Sequence, residues 1–331
     1  MLLVAIPAVA LGQIQYEGPD REKVLVQGAK KEGEVMLYTS LVPEDLSAIS
    51  AAFEKKYGVK LKVWRANSEK VLQRAVTEAR AGRNDADVVE TNGPQLESLY
   101  REKGLQPLRS PHIKDLMPQA LQKHGHWVGT RINMFVQSYN TNLVKKDELP
   151  KSYADLTQPR WKGRLGIEAE DEDWFAMIVK ELGEEQGLRV FREIARVNGF
   201  SVRKGHTLLA GLVASGEIPL ALTTYSHGAE KMKQKGAPVE WFAIAPAIGR
   251  ANGIGVMQKP PHPHAAALFV DFLLSPEGQK ILQKGGYVPA NLKVEDRAQK
   301  LPLKFVDAAV ILDEDEKWKK LWQEIVLRTA R

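Results

Sequence analysis

The sequence predicts an α/β protein made of two lobes. The chain has 331 residues, 44% of them hydrophobic, and this length exceeds what one hydrophobic core usually organises. From Glu34 onward, short β-rich segments alternate with amphipathic helical segments, the pattern of a parallel sheet joined by crossover helices. The chain contains no low-complexity linker and no internal repeat, which favours two lobes joined by crossing strands over independent domains.

The first series of elements gives the first lobe its β-α-β order. Strands are predicted at 35–38, 59–64 and 87–90. One helix begins at Pro43 and ends at Gly58, a second is capped by Ser68 and ends near Gly82, and a third lies around 95–102.

A strand at 130–139 leaves this lobe, and a second series of elements follows. Strands are predicted at 164–167 and 218–222, helices at 174–182, 186–197, 207–214 and 227–235, a returning strand at 239–244, and an apolar helix at 265–274. The first lobe is therefore expected to be discontinuous. The predicted division is 13–130 plus 250–290 for lobe one, 131–249 for lobe two, and a C-terminal helical tail over 291–331.

The first twelve residues are almost wholly apolar and end in Ala10-Leu11-Gly12, a small-x-small pattern that precedes signal-peptide cleavage. We interpret residues 1–12 as the remnant of a signal peptide, with Gln13 as the mature start and the periplasm as the location. Because no charged segment precedes the apolar run, a start further upstream or a buried N-terminal strand remains an alternative. The chain has no cysteine, which excludes disulfides, thiolate zinc sites and thiol catalysis.

Several functional classes lack their sequence signature. The net charge is +6, but basic and acidic residues alternate along the chain, so we predict no nucleic-acid partner. Nucleophile-elbow, zincin, phosphate-loop and dinucleotide motifs are missing from the sequence, which favours a protein that is not an enzyme and carries no cofactor. A hydrolase with a dispersed triad is the rival class. The histidine pairs His124/His126 and His262/His264 are typical of solvated surface loops.

Five segments carry a family resemblance when they are taken together: GAKKEGEVMLYTSL (28–41), a stretch from AAFEKKYG to DADVVETN (51–92), PRWKGRLGI (159–167), ALFVDFLLSPEGQKIL (267–282) and YVPAN (287–291). As a set they resemble the ferric-ion and phosphonate-type periplasmic binding proteins of ABC importers. The resemblance implies the type 2 periplasmic-binding-protein fold, in which two crossing hinge strands join two lobes and a ligand cleft lies between them. It also implies an importer permease as the partner, and we expect the receptor to be a monomer.

The binding residues are expected where strands of an open α/β sheet end at their carboxyl edge. The candidates are Tyr38, Ser40, Asn67, Ser68 and Asn92 of lobe one, Arg131, Arg250 and Asn252 near the hinge strands, and Asp171, Asp173, Thr207, Thr224 and Tyr225 of lobe two. Ser68 and Asp173 are also good helix caps, whether or not they contact a ligand.

Two chemistries are open for the ligand. Arg131 and Arg250 suit a carboxylate or phosphonate, and Trp174 offers its face to a cation, so the first choice is a small zwitterionic or anionic organic solute. Ferric ion is the alternative, because ferric relatives carry two adjacent tyrosines where this chain has Tyr225-Ser226. If the ligand is iron, Tyr225 would bind it with Glu170, Asp171 or Asp173. Acid in a first helical turn can also simply complement the helix dipole.

Overall fold

A computed structural model describes residues 15–328 of the chain, so the predicted leader lies outside the described residues. The strands of this part are β1 (Glu34–Thr39), β2 (Lys60–Arg65), β3 (Val88–Asn92), β4 (Trp127–Asn140), β5 (Leu165–Glu168), β6 (Ser201–Arg203), β7 (Leu220–Tyr225), β8 (Val239–Phe242), β9 (Ile248–Val256), β10 (Val288–Pro289) and β11 (Lys304–Phe305). The helices are α1 (Arg21–Glu32), α2 (Pro43–Tyr57), α3 (Ser68–Arg80), α4 (Gly93–Arg101), α5 (Glu172–Glu181), α6 (Glu184–Val197), α7 (His206–Ser215), α8 (Ser226–Gln234), α9 (Pro263–Leu274), α10 (Pro276–Lys284), α11 (Ala308–Asp313) and α12 (Asp315–Trp322).

The chain forms two compact units. The first comprises the chain up to Ile132 together with Ala251–Gln299, and the second comprises Asn133–Arg250 and the chain from Lys300 onward. Strands β4 and β9 each pass from one unit into the other. None of the helices over residues 15–328 combines the length and the apolar character that a membrane crossing requires.

The first unit is built on a parallel core of strands. Strand β1 pairs in parallel with β2 and β3, and β3 pairs antiparallel with the second half of β9. Helix α9 is apolar on nearly all sides and packs against α1, with the Phe269 ring 5.3 Å from that of Phe53 in α2. The buried apolar residues of α2 are Leu46, Ile49, Phe53 and Tyr57, and the parallel pairing brings the carboxyl ends of β1, β2 and β3 to one edge of the sheet.

The second unit also has a parallel core of strands with an antiparallel neighbour. Strand β5 pairs in parallel with β6 and β7, and the second half of β4 pairs antiparallel with β7 and β8. An aromatic core fills the space between this sheet and helices α5, α6 and α12, with Trp161, Trp174, Phe191, Trp318 and Trp322 among its buried side chains. The C-terminal tail, which includes α11 and α12, thus belongs to the core of the second unit.

Two local predictions need correction. Helix α3 is capped by Asn67, whose side chain accepts a hydrogen bond from Lys70 N at 3.0 Å, and Ser68 is the first helical residue. The second crossing strand is β9, so Arg250 lies within it, and the segment predicted to return to lobe one forms the short strand β8. The apolar helix predicted at 265–274 is confirmed as α9, which ends at Leu274, and Ser275 caps the next helix, α10, ahead of Pro276.

The two histidine pairs are not simply solvated. His262 Nδ1 lies 2.9 Å from the fully buried carboxylate of Asp87, and His264 Nδ1 lies 2.6 Å from Glu32. His124 Nε2 lies 3.0 Å from the buried Glu97. These imidazoles pair with carboxylates inside the first unit because polar groups withdrawn from water need a partner.

Candidate functional site

The polar residues of the second unit gather at the carboxyl edge of its parallel strands. Glu168 ends β5, His206 follows β6 at the start of α7, and Tyr225 ends β7. Because parallel strands end on the same edge of a sheet, three sequence-distant side chains come together there. One ligand atom from each of Glu168, Asp171 and His206 lies within 4.8 Å of the others.

Glu168 is held in place by backbone N–H groups. Its Oε1 accepts a hydrogen bond from Gly205 N at 2.7 Å, and its Oε2 accepts one from Glu170 N at 2.5 Å. Gly205 adopts φ +108°, a conformation that side chains rarely allow, and this turn delivers its N–H to the carboxylate. The side chain is 3% exposed, so the loop and the strand end fix its orientation.

His206 and Asp171 face each other at short range. His206 Nε2 lies 3.2 Å from Asp171 Oδ1, and the imidazole side chain is 20% exposed whereas that of Asp171 is 1% exposed. His206 Nδ1 lies 3.1 Å from the carbonyl oxygen of Thr223. No hydrogen bond of normal geometry reaches either carboxylate oxygen of Asp171 from the described residues.

Arg250 contacts two further predicted residues of this unit, Asp173 and Tyr225. Its Nη1 donates to Asp173 Oδ2 at 2.7 Å, and its Nη2 donates to the Tyr225 hydroxyl. The guanidinium lies 5.0 Å from the centroid of the Phe135 ring, a cation–π contact. Tyr225 is 7% exposed and its ring lies 3.8 Å from that of His206, so the two clusters are adjacent.

The charges of this edge are predominantly negative. Burial and the charge of Asp171 raise the pKa of Glu168, and burial raises the pKa of Glu172 to about 8. Burial lowers the pKa of His206, but the charges of Asp171 and Glu168 outweigh it and raise the pKa above the ordinary value. In the same way, carboxylates led by Asp173 overcome burial and raise the pKa of Arg250. Protonated imidazole and guanidinium are favoured because carboxylates outnumber cations here.

The remaining candidates of the second unit make contacts outside these two clusters or are exposed. Glu170 directs its carboxylate to Lys204 at 2.5 Å, and Thr224 donates its hydroxyl to Val136 O at 3.2 Å. Thr207 is exposed. Trp174 is 1% exposed and packs between Tyr153 and Phe191, so the prediction that it offers a face to a cation is wrong: the start of α5 turns the indole into the core.

The candidates of the first unit lie at its own carboxyl edge. Tyr38 donates its hydroxyl to Glu78 at 2.8 Å, and burial followed by that bond raises the pKa of the phenol. Ser40 accepts a hydrogen bond from Thr91 Oγ1 at 3.2 Å, and Asn252 Nδ2 donates to Asn92 Oδ1 at 2.7 Å. Ser40 and Asn92 are thus paired with neighbours on the sheet edge, and Asn67 serves as the helix cap.

Arg131 is engaged within the first unit. Its Nη1 donates to Glu90, which also accepts a 2.6 Å hydrogen bond from Thr39 Oγ1. The guanidinium lies 4.8 Å from the centroid of the Tyr287 ring. Glu90 is 0% exposed, and only Arg131 balances its charge among the partners described here, so the guanidinium is already committed to a buried carboxylate.

The chain has two α/β units that share two continuous strands, and polar side chains lie at the carboxyl ends of its strands. This arrangement is typical of solute-binding receptors. The chain belongs to the bacterial extracellular solute-binding protein family, whose model matches residues 48–306. Proteins of this kind bind small ligands and work with the permeases of ABC importers. The type 2 periplasmic-binding-protein fold is thereby confirmed.

Two relatives carry names that refer to iron. The chain is 27% identical over 279 residues to "Iron uptake protein A1" of Synechocystis sp., covering 78% of this chain and 75% of that protein. It is 22% identical over 293 residues to the "Fe(3+)-binding periplasmic protein" of Serratia marcescens, covering 85% and 86%. Iron-bound HitA from Pseudomonas aeruginosa has a similar structure, with a TM-score of 0.77, 24% identity, and coverage of 88% of this chain and 99% of that one.

Sequence reasoning did not choose two members of this cluster as ligands. Glu168 lies in the acidic run 168–173, but the candidates chosen from that run were Glu170, Asp171 and Asp173. The strand-end rule also indicated His206 beside Thr207, and only Thr207 was kept as a candidate. His206 follows the short strand β6, which has three half-buried residues and little apolar pattern.

Proposed function

We propose that this protein is a periplasmic receptor that captures ferric ion, delivers it to an ABC importer and catalyses no reaction. The observation that carries the proposal is the excess of buried carboxylates at the edge of the second unit. Glu168, Asp171 and Asp173 are each at most 6% exposed, and Arg250 and His206 are the basic groups that contact them. Burying this much negative charge is costly unless a cation accompanies it.

The alternative of an anionic organic solute has weaker support. It rests on Arg131 and Arg250, and both guanidinium groups already bind a buried carboxylate, Glu90 and Asp173 respectively. An incoming anion would have to compete with those partners inside the protein. The names of the relatives also favour the ferric-ion alternative over the organic solute.

The ligand types at this edge suit iron. Fe(III) is a hard cation that prefers anionic oxygen, and the edge offers carboxylates and the Tyr225 phenol. Arg250 donates to the Tyr225 hydroxyl and pairs with Asp173, so the phenol oxygen and this carboxylate lie at the same edge. The second tyrosine of ferric relatives is replaced by Ser226, so the carboxylates would supply the missing negative charge.

The experiment is a titration of chelator-treated protein with ferric citrate, followed by visible absorption. A phenolate bound to Fe(III) gives a coloured complex, so the wild type should become coloured and Tyr225→Phe should lose the band. Tyr57→Phe, which changes a buried tyrosine of the first unit, is the matched control and should keep it. A wild type that binds an amino acid or an organic phosphate but no iron would refute the proposal. Turnover of any bound solute would favour the hydrolase class.

A further inference from the structure

We infer that Glu168, Asp171 and His206 form a metal-binding centre that lies entirely within the second unit. The inference deepens the proposed function, because it names the ligands of the cargo. Their ligand atoms lie within 4.8 Å of one another, so shifts of a few tenths of an ångström would let all three reach one ion at metal–ligand distances of about 2.0–2.2 Å.

The hydrogen bonding of His206 leaves the correct nitrogen for a metal. Nδ1 lies 3.1 Å from the Thr223 carbonyl oxygen, which can only accept, so Nδ1 carries the proton. The lone pair of the neutral ring is then on Nε2, the nitrogen that faces Asp171 at 3.2 Å. Metal-binding histidines almost always donate their other N–H to a carbonyl or carboxylate in this way.

Asp171 provides the second, independent observation. Its side chain is 1% exposed, and neither carboxylate oxygen accepts a hydrogen bond of normal geometry from the described residues. His206 Nε2, 3.2 Å from Oδ1, balances the charge of Asp171 when the imidazole is protonated. A buried carboxylate that lacks hydrogen-bond donors is costly to desolvate. A metal ion that replaced the proton on Nε2 would bind the carboxylate and the imidazole together.

Glu168 is ready to bind without rearrangement. Hydrogen bonds from Gly205 N and Glu170 N hold its two oxygens, and its own N–H donates to Thr223 Oγ1 at 3.0 Å. Each carboxylate oxygen has two lone pairs, so one remains on each oxygen for a metal. Thr223 thus orients both Glu168 and His206, in the manner of groups that support metal ligands.

This ligand set differs from the one that the sequence indicated. Glu170 forms an ion pair with Lys204 at 2.5 Å, and Asp173 forms one with Arg250 at 2.7 Å. Two carboxylates and one imidazole suit Mn²⁺, iron and Zn²⁺. The hydroxyl of Tyr225, whose ring lies 3.8 Å from that of His206, would add the oxygen ligand that favours Fe(III) among these metals.

The test compares metal affinity in matched variants of the full chain. Ferric citrate, Mn²⁺ and Zn²⁺ are the probes, and Asp171→Asn, His206→Gln and Glu168→Gln are the variants. We expect each to bind the metal at least about 100-fold more weakly, the upper end of the effect of a group that only orients a ligand. Glu170→Gln removes a carboxylate from the same loop and should leave affinity within about twofold.

A spectroscopic readout separates ligation from a structural effect. Electron paramagnetic resonance of bound Mn²⁺ should show hyperfine coupling to one imidazole nitrogen, and that coupling should vanish in His206→Gln and persist in Glu170→Gln. Asp171→Asn removes one charge from a carboxylate-rich cluster, so its metal-free form should fold with an unchanged or higher melting temperature. If Asp171→Asn does not fold, the His206 and Glu168 variants carry the test.

The outcomes distinguish the ligand set from the cargo. Loss of ferric binding in Tyr225→Phe with no effect in the three variants would overturn the ligand set and leave the ferric receptor standing. Binding of Mn²⁺ or Zn²⁺ through the three residues, with no ferric binding, would support the centre and reject iron as the cargo. A wild type that binds none of the three metals would reject both.

Discussion

Trp322 Nε1 donates a 2.9 Å hydrogen bond to the carbonyl oxygen of Ala169. Trp322 lies at the end of α12 in the C-terminal tail, and Ala169 follows the carboxylate residue Glu168. The indole is 0% exposed, so water does not reach this bond through the side chain. A residue 153 positions away in the sequence thus holds the loop that carries Glu168 and Asp171.

Replacing Trp322 with phenylalanine should weaken both stability and metal binding. The smaller ring would leave a void in the aromatic core, which has its own cost, and the Ala169 carbonyl would lose its donor, at a further cost of about 1–3 kcal/mol in the free energy of unfolding. We expect chemical denaturation to show this loss and ferric titration to show a higher dissociation constant. Trp318→Phe is the control, because its Nε1 donates to Glu314, whose carboxylate is partly exposed and can bind water. Equal effects in both variants would contradict the assigned role of the bond.

The buried ion pair between Arg250 and Asp173 gives a second stability prediction. The two side chains are 6% and 7% exposed, and removing one partner leaves a buried charge uncompensated. Asp173→Asn should therefore cost about 3–5 kcal/mol in the free energy of unfolding. Glu193→Gln breaks the exposed pair with Arg196 and should have no measurable effect. Similar unfolding midpoints for both variants would show that Arg250 finds another partner.

Much of the fold could be predicted from the sequence. In many elements the apolar periodicity and the helix-ending residues proline and glycine indicate the same bounds. Helix α2 begins at Pro43 and ends at Gly58, which adopts φ +69° as a left-handed cap. Strand β7 is a continuous buried segment. In such elements local preference and tertiary burial indicate the same structure.

Sequence reasoning missed strand β9 and helix α1. The residue types of these two elements do not indicate a buried strand or an amphipathic helix. Strand β9 contains glycines, Arg250 and Asn252, which are typical of a loop, yet all its residues are buried because partners such as Asp173 and Asn92 satisfy the polar groups. Helix α1 is mostly polar and is stabilised by packing against α9. Its neighbour is more than two hundred residues away in the sequence, so no local pattern could reveal it.

Backbone turns decide which carboxylates between Glu168 and Asp173 are buried. Glu168 points to Gly205 and Glu170 points to Lys204. Adjacent acids in a sequence look equivalent, and only the conformation of the loop separates the buried from the exposed ones. The sequence could therefore indicate the strand ends where these polar side chains gather, but it could not assign a role to each residue.

The cap of α3 can be tested directly, because sequence and structure disagree on it. Asn67 has an extended backbone and accepts from Lys70 N, so Asn67→Ala should cost about 1 kcal/mol. Ser68 is the first helical residue, and Ser68→Ala should change the free energy of unfolding by only a few tenths of a kcal/mol. Thermal unfolding of the two variants decides between the residues. A larger loss in Ser68→Ala would restore Ser68 as the cap.

His124 should make the protein less stable as the pH falls through the range just below 6.5. Its Nδ1 accepts a hydrogen bond from His126 N at 3.1 Å, and its Nε2 lies 3.0 Å from Glu97, so the neutral ring with the proton on Nε2 fits both partners. Its ring also stacks on Tyr100 at 3.7 Å. Burial lowers the pKa of His124 below its ordinary value of 6.5, although Glu97 opposes the shift. Protonation of Nδ1 would break the bond to His126.

The sign of the pH effect follows from proton binding in the two states. Below pH 6.5 the unfolded chain takes up a proton on His124 that the folded chain does not, so stability is full above that pH and is lost as the pH falls toward the folded pKa. His124→Gln can keep both hydrogen bonds without titrating, so its melting temperature relative to that of the wild type should increase between pH 7.5 and 5.5. The slope common to both proteins includes His112, whose pKa burial also lowers, and His206 and Glu172, whose raised pKa values act with the opposite sign. Lys123→Gln, an exposed change in the same turn, should keep the wild-type slope. Parallel melting curves for His124→Gln and the wild type across this range would show that His124 takes no part in the acid sensitivity.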